Sequence, residues 1–300
     1  MIYYFDLHKT RVFGPMFRKS GVVHRNPYRG FIAMYAMYFK GLYKLPSAYF
    51  YPRPKFVDGD DKIIVFDSYA TPRLVNWLCG KWPDKRIIFW YWNSAYNLQM
   101  REKVPERVEF WSYSRADCKT YGFRHNTQFF FDCLAEKAAA CRAGNKRNPV
   151  PKALFIGREK GRAAALDALR EQFRAAGVEA DFQLVPRPKG RFASSKEKLL
   201  SYQAVVDRVA DADILVDYYL DPDSGLSLRP LEAMFFGKKL VTNSREILSA
   251  DFYSPANIYV LGHDTRTLRE FVETPGTEVA PRIRDRYLLS NWLKRFDEAI

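Results

Sequence analysis

Short apolar runs, each followed by a helix-like segment, recur along this chain of 300 residues. Four of them, Lys62–Phe66 (KIIVF), Arg86–Trp92 (RIIFWYW), Ala153–Ile156 (ALFI) and Asp213–Val216 (DILV), are rich in β-branched or aromatic residues. Strands of a parallel sheet have this composition because helices cover both faces of the sheet. The alternation therefore predicts an α/β fold with doubly wound parallel sheets.

A linker-like segment separates these units into two groups. Residues 143–152 (AGNKRNPVPK) combine Gly, Asn, Pro and basic residues without periodicity, which is typical of a connection between domains. We expect a first Rossmann-like domain over residues 1–146 and a second over residues 150–275. A final helix over residues 281–300 would pack back on the first domain.

The net charge of +14 is concentrated in the first half of the chain. Residues 1–150 contain 25 Lys and Arg against 12 Asp and Glu, whereas residues 151–300 contain 23 against 22. A basic half rich in aromatic residues fits a solvated face over an aromatic core, an anionic membrane surface, or nucleic acid. No nucleic-acid-binding motif accompanies the charge, so no nucleic-acid partner is expected.

No segment predicts a signal peptide or a membrane-spanning helix. Asp6 and Lys9 interrupt the apolar start, and Pro46 and several Lys interrupt the most apolar stretch, residues 31–50. Residues 29–44 are predicted to form either a core helix or a helix at a membrane interface. Four Cys without a CxxC pair favour a reducing compartment. We expect a cytoplasmic protein, either wholly soluble or peripheral at the inner membrane.

The most informative segment is residues 221–243 (DPDSGLSLRPLEAMFFGKKLVTN). A small-residue turn is predicted to open a helix over residues 225–236, whose free backbone N–H groups would suit a diphosphate. Arg229 would add a bidentate phosphate contact. Glu232 is a costly carboxylate on an apolar helix unless it has partners, which ribose hydroxyls or a structural hydrogen bond would supply. The turn consists of Ser224, Gly225, Leu226 and Ser227.

A second candidate segment is residues 155–162 (FIGREKGR). Gly157 ends a predicted strand, where the backbone can approach a ligand, and Arg158, Lys160 and Arg162 crowd the crossing to the next helix. Ligands of open α/β sheets bind beyond the carboxyl ends of strands, so a nucleotide diphosphate would fit here. A solvated helix start is the alternative for each basic residue. The absence of GxGxxG and GxxxxGK[ST] argues against NAD binding and a P-loop.

In their order along the chain, these motifs resemble the donor-binding domain of glycosyltransferases with the GT-B fold. The matching elements are FIG with its basic residues, the DILV strand and SGLSLRPLEAMFFGKKLVTN. The first half resembles small bacterial lipopolysaccharide and capsule glycosyltransferases. That likeness rests on FDS (66–68), IIFWYWN (87–93), WSYSRADCKTYGF (111–123) and NTQFFF (126–131). The resemblance covers residues 60–262.

The resemblance implies two Rossmann-like domains whose parallel sheets face each other across a cleft. It also implies a nucleotide-sugar donor, a glycan or glycolipid acceptor, and no cofactor beyond the nucleotide-sugar co-substrate. Residues 224–227 would line the donor phosphates, Glu232 would hold the ribose, and Arg158 and Lys160 would neutralise the diphosphate. No metal site is expected, because the four His are scattered and no HxH or HExxH occurs.

One position departs from the family pattern. Retaining enzymes of this fold often carry a second Glu eight residues before the ribose-binding one, and this chain has Ser224 there. The pattern of those retaining enzymes is therefore broken, and an inverting transfer would need a general base from the first domain. Asp67 is the first candidate because it follows the KIIVF strand, with Asp117 and His125 as alternatives. Asn93, at the end of IIFWYWN, is predicted to bind the acceptor.

Structural roles compete with each of these functions. Asp67 and Asp117 would serve equally as residues that start helices, His125 as a structural histidine and Asn93 as a turn residue. The main alternative function is a non-catalytic, membrane-peripheral binding subunit of a polysaccharide-synthesis complex. A basic nucleic-acid-binding protein is the third possibility.

Overall fold

The computed structural model divides the chain into two compact units, Met1–Thr127 and Gln128–Ile300. It describes residues 3–5, 13–25, 46, 50–51, 62–67, 70–93, 99–144, 148–185, 200–223 and 225–298. Both units are mixed α/β, and each contains a sheet whose paired strands are all parallel. The α/β class and the parallel sheets predicted from the sequence are confirmed.

The first unit has a six-stranded sheet with the strand order β2-β1-β3-β4-β5-β6. Its central strands coincide with the KIIVF and RIIFWYW runs and are almost wholly buried. The strands are β1 Tyr3–Phe5, β2 Val23–Arg25, β3 Lys62–Phe66, β4 Arg86–Tyr91, β5 Glu109–Ser112 and β6 Arg124–His125. The helices are α1 Gly14–Lys19, α2 Pro72–Lys81, α3 Gln99–Glu102 and α4 Arg115–Tyr121.

The second unit has a five-stranded sheet with the order β11-β10-β9-β7-β8. Its strands are β7 Lys152–Arg158, β8 Glu179–Val185, β9 Ile214–Asp217, β10 Lys239–Thr242 and β11 Ile258–Val260. Its helices are α5 Ala135–Gly144, α6 Ala163–Ala175, α7 Tyr202–Asp211, α8 Arg229–Phe236, α9 Leu268–Glu273, α10 Pro281–Arg286 and α11 Leu289–Lys294. Two turns of 3₁₀ helix lie at Asp132–Leu134 and Glu246–Ser249.

The division between the units lies before the predicted linker, because residues 129–132 pack within the second unit. Phe130 stacks on Phe235 with ring centroids 4.0 Å apart. Its backbone N–H donates to the Tyr287 carbonyl at 2.7 Å, and its carbonyl accepts from the Leu289 N–H at 2.8 Å. The C-terminal helices thus contact a segment that the sequence had assigned to the first domain.

Two helices differ from the sequence prediction, one in its start and one in its continuity. The helix expected over residues 225–236 begins at Arg229, so Gly225, Leu226 and Ser227 lie in the preceding loop. The final helix, expected to be continuous, is divided into α10 and α11 by the residues that pair with Phe130. Pro230 lies in the first turn of α8, and the backbone pairing of Phe130 with Leu288 separates α10 from α11.

Several predictions fall on residues that the structure does not describe. These are Ser224 and the aromatic stretch over residues 29–44. In the described part of the chain, no helix is both long and apolar enough to span a bilayer.

Candidate functional site

The strand order of the second sheet defines where a ligand would bind. From β7 the chain moves to β8 on one side and then to β9 on the other, so the order reverses between β7 and β9. In doubly wound sheets the crevice beyond the carboxyl ends of such a strand pair is the usual ligand site. The segments that follow β7 and β9 are the two motifs selected from the sequence, Phe155–Arg162 and Asp221–Asn243.

A tight turn connects β7 to α6. The Arg162 N–H donates to the Glu159 carbonyl at 3.0 Å, and the two central residues, Lys160 and Gly161, have φ angles of 49° and 86°. Positive φ at both central positions is the signature of a type I′ turn. Partial desolvation and the nearby Arg162 and Arg158 lower the pKa of Lys160, so the turn concentrates positive charge.

Arg162 ends the basic segment FIGREKGR, and its contacts make it a further candidate for the site. Its Nε and Nη2 donate to the Arg158 carbonyl at 3.0 and 2.8 Å, and its Nη1 donates to the Tyr218 carbonyl. The guanidinium carbon lies 4.8 Å from the centre of the Phe155 ring. Arg162 therefore joins the carboxyl end of β7 to that of β9, a pairing that the spacing of the residues along the chain does not reveal.

Gly157 makes room for Arg162. A Cβ at position 157 would lie 2.8 Å from Arg162 Nη2 and 3.0 Å from the Phe155 ring. From the sequence, this glycine is predicted to let the backbone approach a ligand closely. In the structure, the close neighbour of the glycine is the chain's own guanidinium.

Asp217, at the end of β9, organises the loop that leads to α8. Its Oδ2 accepts hydrogen bonds from the Tyr219 hydroxyl at 2.5 Å and from the Ser227 hydroxyl at 2.7 Å. The Ser227 N–H donates to the Tyr219 hydroxyl oxygen at 2.7 Å. Burial raises the pKa of Asp217 despite these hydrogen bonds, and burial next to Asp217 raises the pKa of Tyr219 well above its usual value.

Asn243, at the end of β10, fixes the same loop from the other side. Its Oδ1 accepts from the Tyr219 N–H at 2.7 Å, and its Nδ2 donates to the Tyr219 carbonyl at 2.8 Å. The amide thus satisfies both backbone groups of one loop residue. The final Asn of the LVTN sequence has a definite structural role, which the motif alone did not show.

The start of α8 differs from the predicted anion site. Pro230 supplies no N–H group, and the Arg229 N–H already donates to Ser227 Oγ at 3.1 Å. Gly225 adopts a φ of 86° in the loop. The helix therefore does not present the row of free N–H groups that the Ser-Gly-Leu-Ser turn was expected to open.

Glu232 is the most deeply buried acidic group of this site, with 3% of the residue exposed. Its Oε1 accepts a hydrogen bond from the Tyr202 hydroxyl at 2.9 Å. Its Oε2 lies 2.9 Å from Arg229 Nη1, but these two atoms do not align as a hydrogen bond, and neither has another hydrogen-bond partner among the residues that the structure describes. The structural hydrogen bond considered from the sequence therefore exists, and one carboxylate oxygen lacks a hydrogen bond.

The other contacts of this pair draw more of the sheet into the site. Arg229 Nη2 donates to the Ile156 carbonyl at 3.3 Å, one residue before Gly157. Tyr202 is the first residue of α7, and burial together with the neighbouring Glu232 raises the pKa of its hydroxyl well above the usual value. The site thus brings together Arg162, Asp217, Tyr219, Arg229 and Glu232, whereas Arg158 and Lys160 are exposed on the turn.

The first unit carries the predicted acceptor-side residues at the carboxyl edge of its own sheet. Asp67 Oδ1 accepts from the Trp92 N–H at 3.3 Å, and Oδ2 accepts from the backbone and side-chain amides of Asn93 at 3.3 and 3.1 Å. Asp67 thus joins the ends of β3 and β4. It does not cap α2, which Thr71 caps by accepting from the Leu74 N–H.

The other two candidate bases lie further along the same edge. His125 ends β6, opposite Ser112 of β5. The backbone N–H of Asp117 donates to the Ser114 hydroxyl at 3.1 Å, as expected for the start of α4. Asp67 and Asn93 are therefore in contact, whereas Asp117 belongs to a helix start.

The described residues contain no cluster of three or more His, Cys, Asp or Glu that could hold a metal ion. No family model matches the chain, and no curated protein is significantly similar to it. The function must therefore be argued from the site itself.

Proposed function

We propose that this protein is a glycosyltransferase of the GT-B type, which moves a sugar from a nucleotide-sugar donor to a lipid-linked, lipopolysaccharide or capsule glycan. One observation carries the proposal. A buried carboxylate with one oxygen that lacks a hydrogen bond, Glu232, lies with Arg229 and Arg162 beyond the ends of β7 and β9. This is the position at which doubly wound sheets bind nucleotides.

The donor would use these groups according to their charge. Arg162, Arg229 and the exposed Arg158 and Lys160 would neutralise the diphosphate, with guanidinium groups offering paired N–H donors. Glu232 would accept from ribose hydroxyls through Oε2, once Arg229 turns toward the phosphates. The loop with Gly225, Leu226 and Ser227 would line the phosphates beside it.

The reaction proposed is direct displacement at the anomeric carbon. The acceptor hydroxyl oxygen forms a bond to that carbon as the bond to the diphosphate oxygen breaks, and the nucleoside diphosphate leaves with both electrons. The hydroxyl proton goes to a base, for which Asp67, Asp117 and His125 are the candidates. Fixed cationic side chains at the diphosphate would stabilise the charge that develops on the leaving group.

The acceptor side is proposed from the first unit. Asn93 would bind an acceptor sugar hydroxyl, although its amide already donates to Asp67. The basic excess of the first half would favour an acceptor carried on an anionic membrane surface, where cations near the surface add attraction. Peripheral attachment at the inner membrane follows from the same argument.

A non-catalytic binding subunit is the second candidate, and a specific observation favours it. Arg229 and Glu232 are within ion-pair distance of each other, and the Asp67 carboxylate accepts hydrogen bonds from the backbone amides of Trp92 and Asn93. A fold that keeps these residues for stability alone would have the same contacts. The two candidates differ in whether a nucleotide-sugar is consumed.

Ligand-induced thermal shifts test the proposal. UDP, GDP, CMP, dTDP and their common sugars would be tested with wild type, Arg229→Gln, Glu232→Gln and the control Arg174→Gln, whose side chain is 71% exposed on α6. One nucleotide should raise the melting temperature of wild type and control only, since binding to the folded state must stabilise it. Retention of the shift in both site variants would overturn the donor site.

Turnover separates the two candidates. Release of free nucleoside diphosphate from the stabilising nucleotide-sugar, with an extracted lipid-linked glycan present, supports the enzyme. Nucleotide binding without any release supports the binding subunit. Salt-dependent binding of oligonucleotides without any nucleotide-sugar shift would instead support the nucleic-acid alternative.

A further inference from the structure

A cavity of about 730 Å³ lies at the amino edge of the second sheet, the edge opposite to the proposed donor site. Its walls include the residues that start β9, β10 and β11 and the ends of α5, α8 and α9. Apolar side chains form part of the lining, among them Met234, Phe252, Ile258 and Val272. The volume falls within the range of pockets that hold small organic ligands.

Four cationic side chains line this cavity, and two of them have structural partners. Lys238 Nζ donates to the Ala210 carbonyl at 2.8 Å, and Lys239 Nζ donates to the carbonyls of Phe271 and Thr274. Both lysines thus bind the carbonyl ends of helices, where cations are expected. The other two cationic side chains of the cavity are those of Arg142 and Arg284.

The two arginines use only part of their hydrogen-bonding capacity. Arg142 donates through Nη1 to the Phe235 carbonyl. Arg284 donates through Nη1 to the Val279 carbonyl and, at 3.2 Å, to Glu278 Oε1. Among the described residues, Nε and Nη2 of both arginines have no acceptor, although a guanidinium carries five N–H groups.

The acidic groups of the cavity do not balance this pair. Asp213 already accepts from Asn148 Nδ2 at 2.8 Å and from the Lys152 N–H at 2.9 Å. The Glu278 side chain is 73% exposed, so solvent and salt screen much of its charge. Arg284 itself is 8% exposed, so it is a deeply buried cation whose acidic partner lies largely in solvent.

Electrostatics within the cavity favour an added anion. Burial is the main cause that lowers the pKa of Arg142; repulsion by the Arg284 guanidinium lowers it further, and the charge of Glu278 opposes the shift. A phosphate or carboxylate between them would remove the repulsion and take up the N–H groups that have no acceptor. The apolar part of the lining would cover a short hydrocarbon body.

We propose that this cavity is a second ligand site, which binds a small amphiphilic anion through Arg142 and Arg284. The compact anionic group, phosphate or carboxylate, lies at the arginines, and the apolar body lies along the apolar walls. The inference does not depend on the glycosyltransferase proposal, since it concerns the opposite edge of the sheet and different residues.

Hydrogen–deuterium exchange on the wild-type chain tests the site without any substitution. The probes are hexyl phosphate, hexanoate, inorganic phosphate and the uncharged control hexanol. Hexyl phosphate or hexanoate should slow exchange in peptides covering residues 139–144 and 272–284, and the two probes distinguish the anionic groups. Equal protection by hexanol, protection only of residues 217–232, or none with either anion at millimolar concentration would overturn the proposal.

Two variants test the role of the arginines. In Arg142→Gln and Arg284→Gln, the dissociation constant of the effective probe should rise by about tenfold or more, as expected for a lost charge-assisted contact. Arg174→Gln and Arg229→Gln, which alter the surface and the opposite edge, should retain wild-type affinity. Unchanged affinity in both cavity variants, or loss in Arg229→Gln, would contradict the assignment. Circular dichroism establishes that each variant is folded.

Discussion

At the scale of single residues, the candidate site depends on how Glu232 is held. A carboxylate with 3% of its residue exposed is stable only with partners, and its one well-aligned partner is the Tyr202 hydroxyl. Tyr202 follows residues 186–199, which the structure does not describe, and no motif pointed to it. The sequence identified the acidic residue but not the residue that orients it.

Removing this hydroxyl should measure its contribution. In Tyr202→Phe, a buried carboxylate oxygen loses its donor, so the free energy of unfolding should fall by about 1–3 kcal/mol. Urea unfolding followed by circular dichroism gives the value. Tyr121→Phe is the matched control. The Tyr121 ring packs against the hydrophobic core of the first unit, and its hydroxyl has no hydrogen-bond partner among the described residues. Equal effects of both substitutions would contradict the role of Tyr202.

Asp217 should make stability depend on pH. Its pKa is raised above the usual 3.8, so the folded state binds this proton more tightly than the unfolded chain does. The associated stability is complete below pH 3.8 and is lost as the pH rises through the folded-state pKa. The substitution Asp217→Asn removes the titrating group. The free energy of unfolding of the variant, relative to that of wild type, should therefore rise as the pH rises over this interval, by about 1.4 kcal/mol per unit of pKa difference.

Urea titrations of both proteins at a series of pH values measure this difference. Comparing variant with wild type cancels the contributions of the other carboxyl groups. One of these is Glu109: burial acts to raise its pKa, but the hydrogen bonds that it accepts from Arg86 and Trp111 lower the pKa on balance. Parallel pH profiles for the two proteins would show that Asp217 does not titrate as its burial implies.

At the scale of elements, the junction between β7 and α6 contains a glycine, Gly157, whose close neighbour Arg162 the sequence did not predict. Gly157→Ala should displace Arg162 or the Phe155 ring, because the new Cβ would come within 2.8 Å of Nη2. The expected loss of stability is about 1–3 kcal/mol, as for other overpacked sites. If Arg162 also binds the donor, the nucleotide-induced thermal shift should decrease.

Gly80→Ala is the control for this substitution. Gly80 lies in α2 and a Cβ there would meet no atom within 4 Å. Because glycine is unfavourable inside a helix, this substitution should be neutral or stabilise by up to about 1 kcal/mol. Destabilisation of equal size in both variants, measured by thermal unfolding, would contradict a specific clash at position 157.

Most central elements could be predicted because their patterns are local. The KIIVF and RIIFWYW strands match β3 and β4 within a residue. No sequence pattern indicated α1 or β2. These short elements are set by their neighbours in the sheet, and three residues carry too little pattern to predict a strand.

At the scale of the whole molecule, the two parallel sheets follow the alternation of strands and helices, but the division between units does not follow composition. Composition placed the boundary in a segment rich in Gly, Asn and Pro. The structure places it between Thr127 and Gln128, since Phe130 stacks on Phe235 and pairs with the C-terminal segment.

Fragments of the chain test the division. Residues 128–300 should unfold cooperatively on heating, because they retain α5, the Phe129–Phe131 segment and α11. Residues 150–275 should not, since the contact faces of Phe235 and Tyr202 would lose Phe130 and Phe131, and these side chains are buried. Scanning calorimetry measures the cooperativity of unfolding of each fragment, and the fluorescence of a dye that binds exposed apolar surface shows whether the core is formed. Equal cooperativity in both fragments would contradict the division.

The sequence by itself determined the α/β class, the central parallel strands, and Arg229 and Glu232 as residues of interest. These features are local, because hydrophobic period, capping residues and turn residues act over a few positions. The tertiary structure alone decided the late start of α8 and the grouping of Arg162, Asp217, Tyr219 and Asn243. It also decided the Tyr202–Glu232 hydrogen bond and the cavity at the opposite edge. Strand order brings distant residues together, and the order of strands is set by packing of the whole unit.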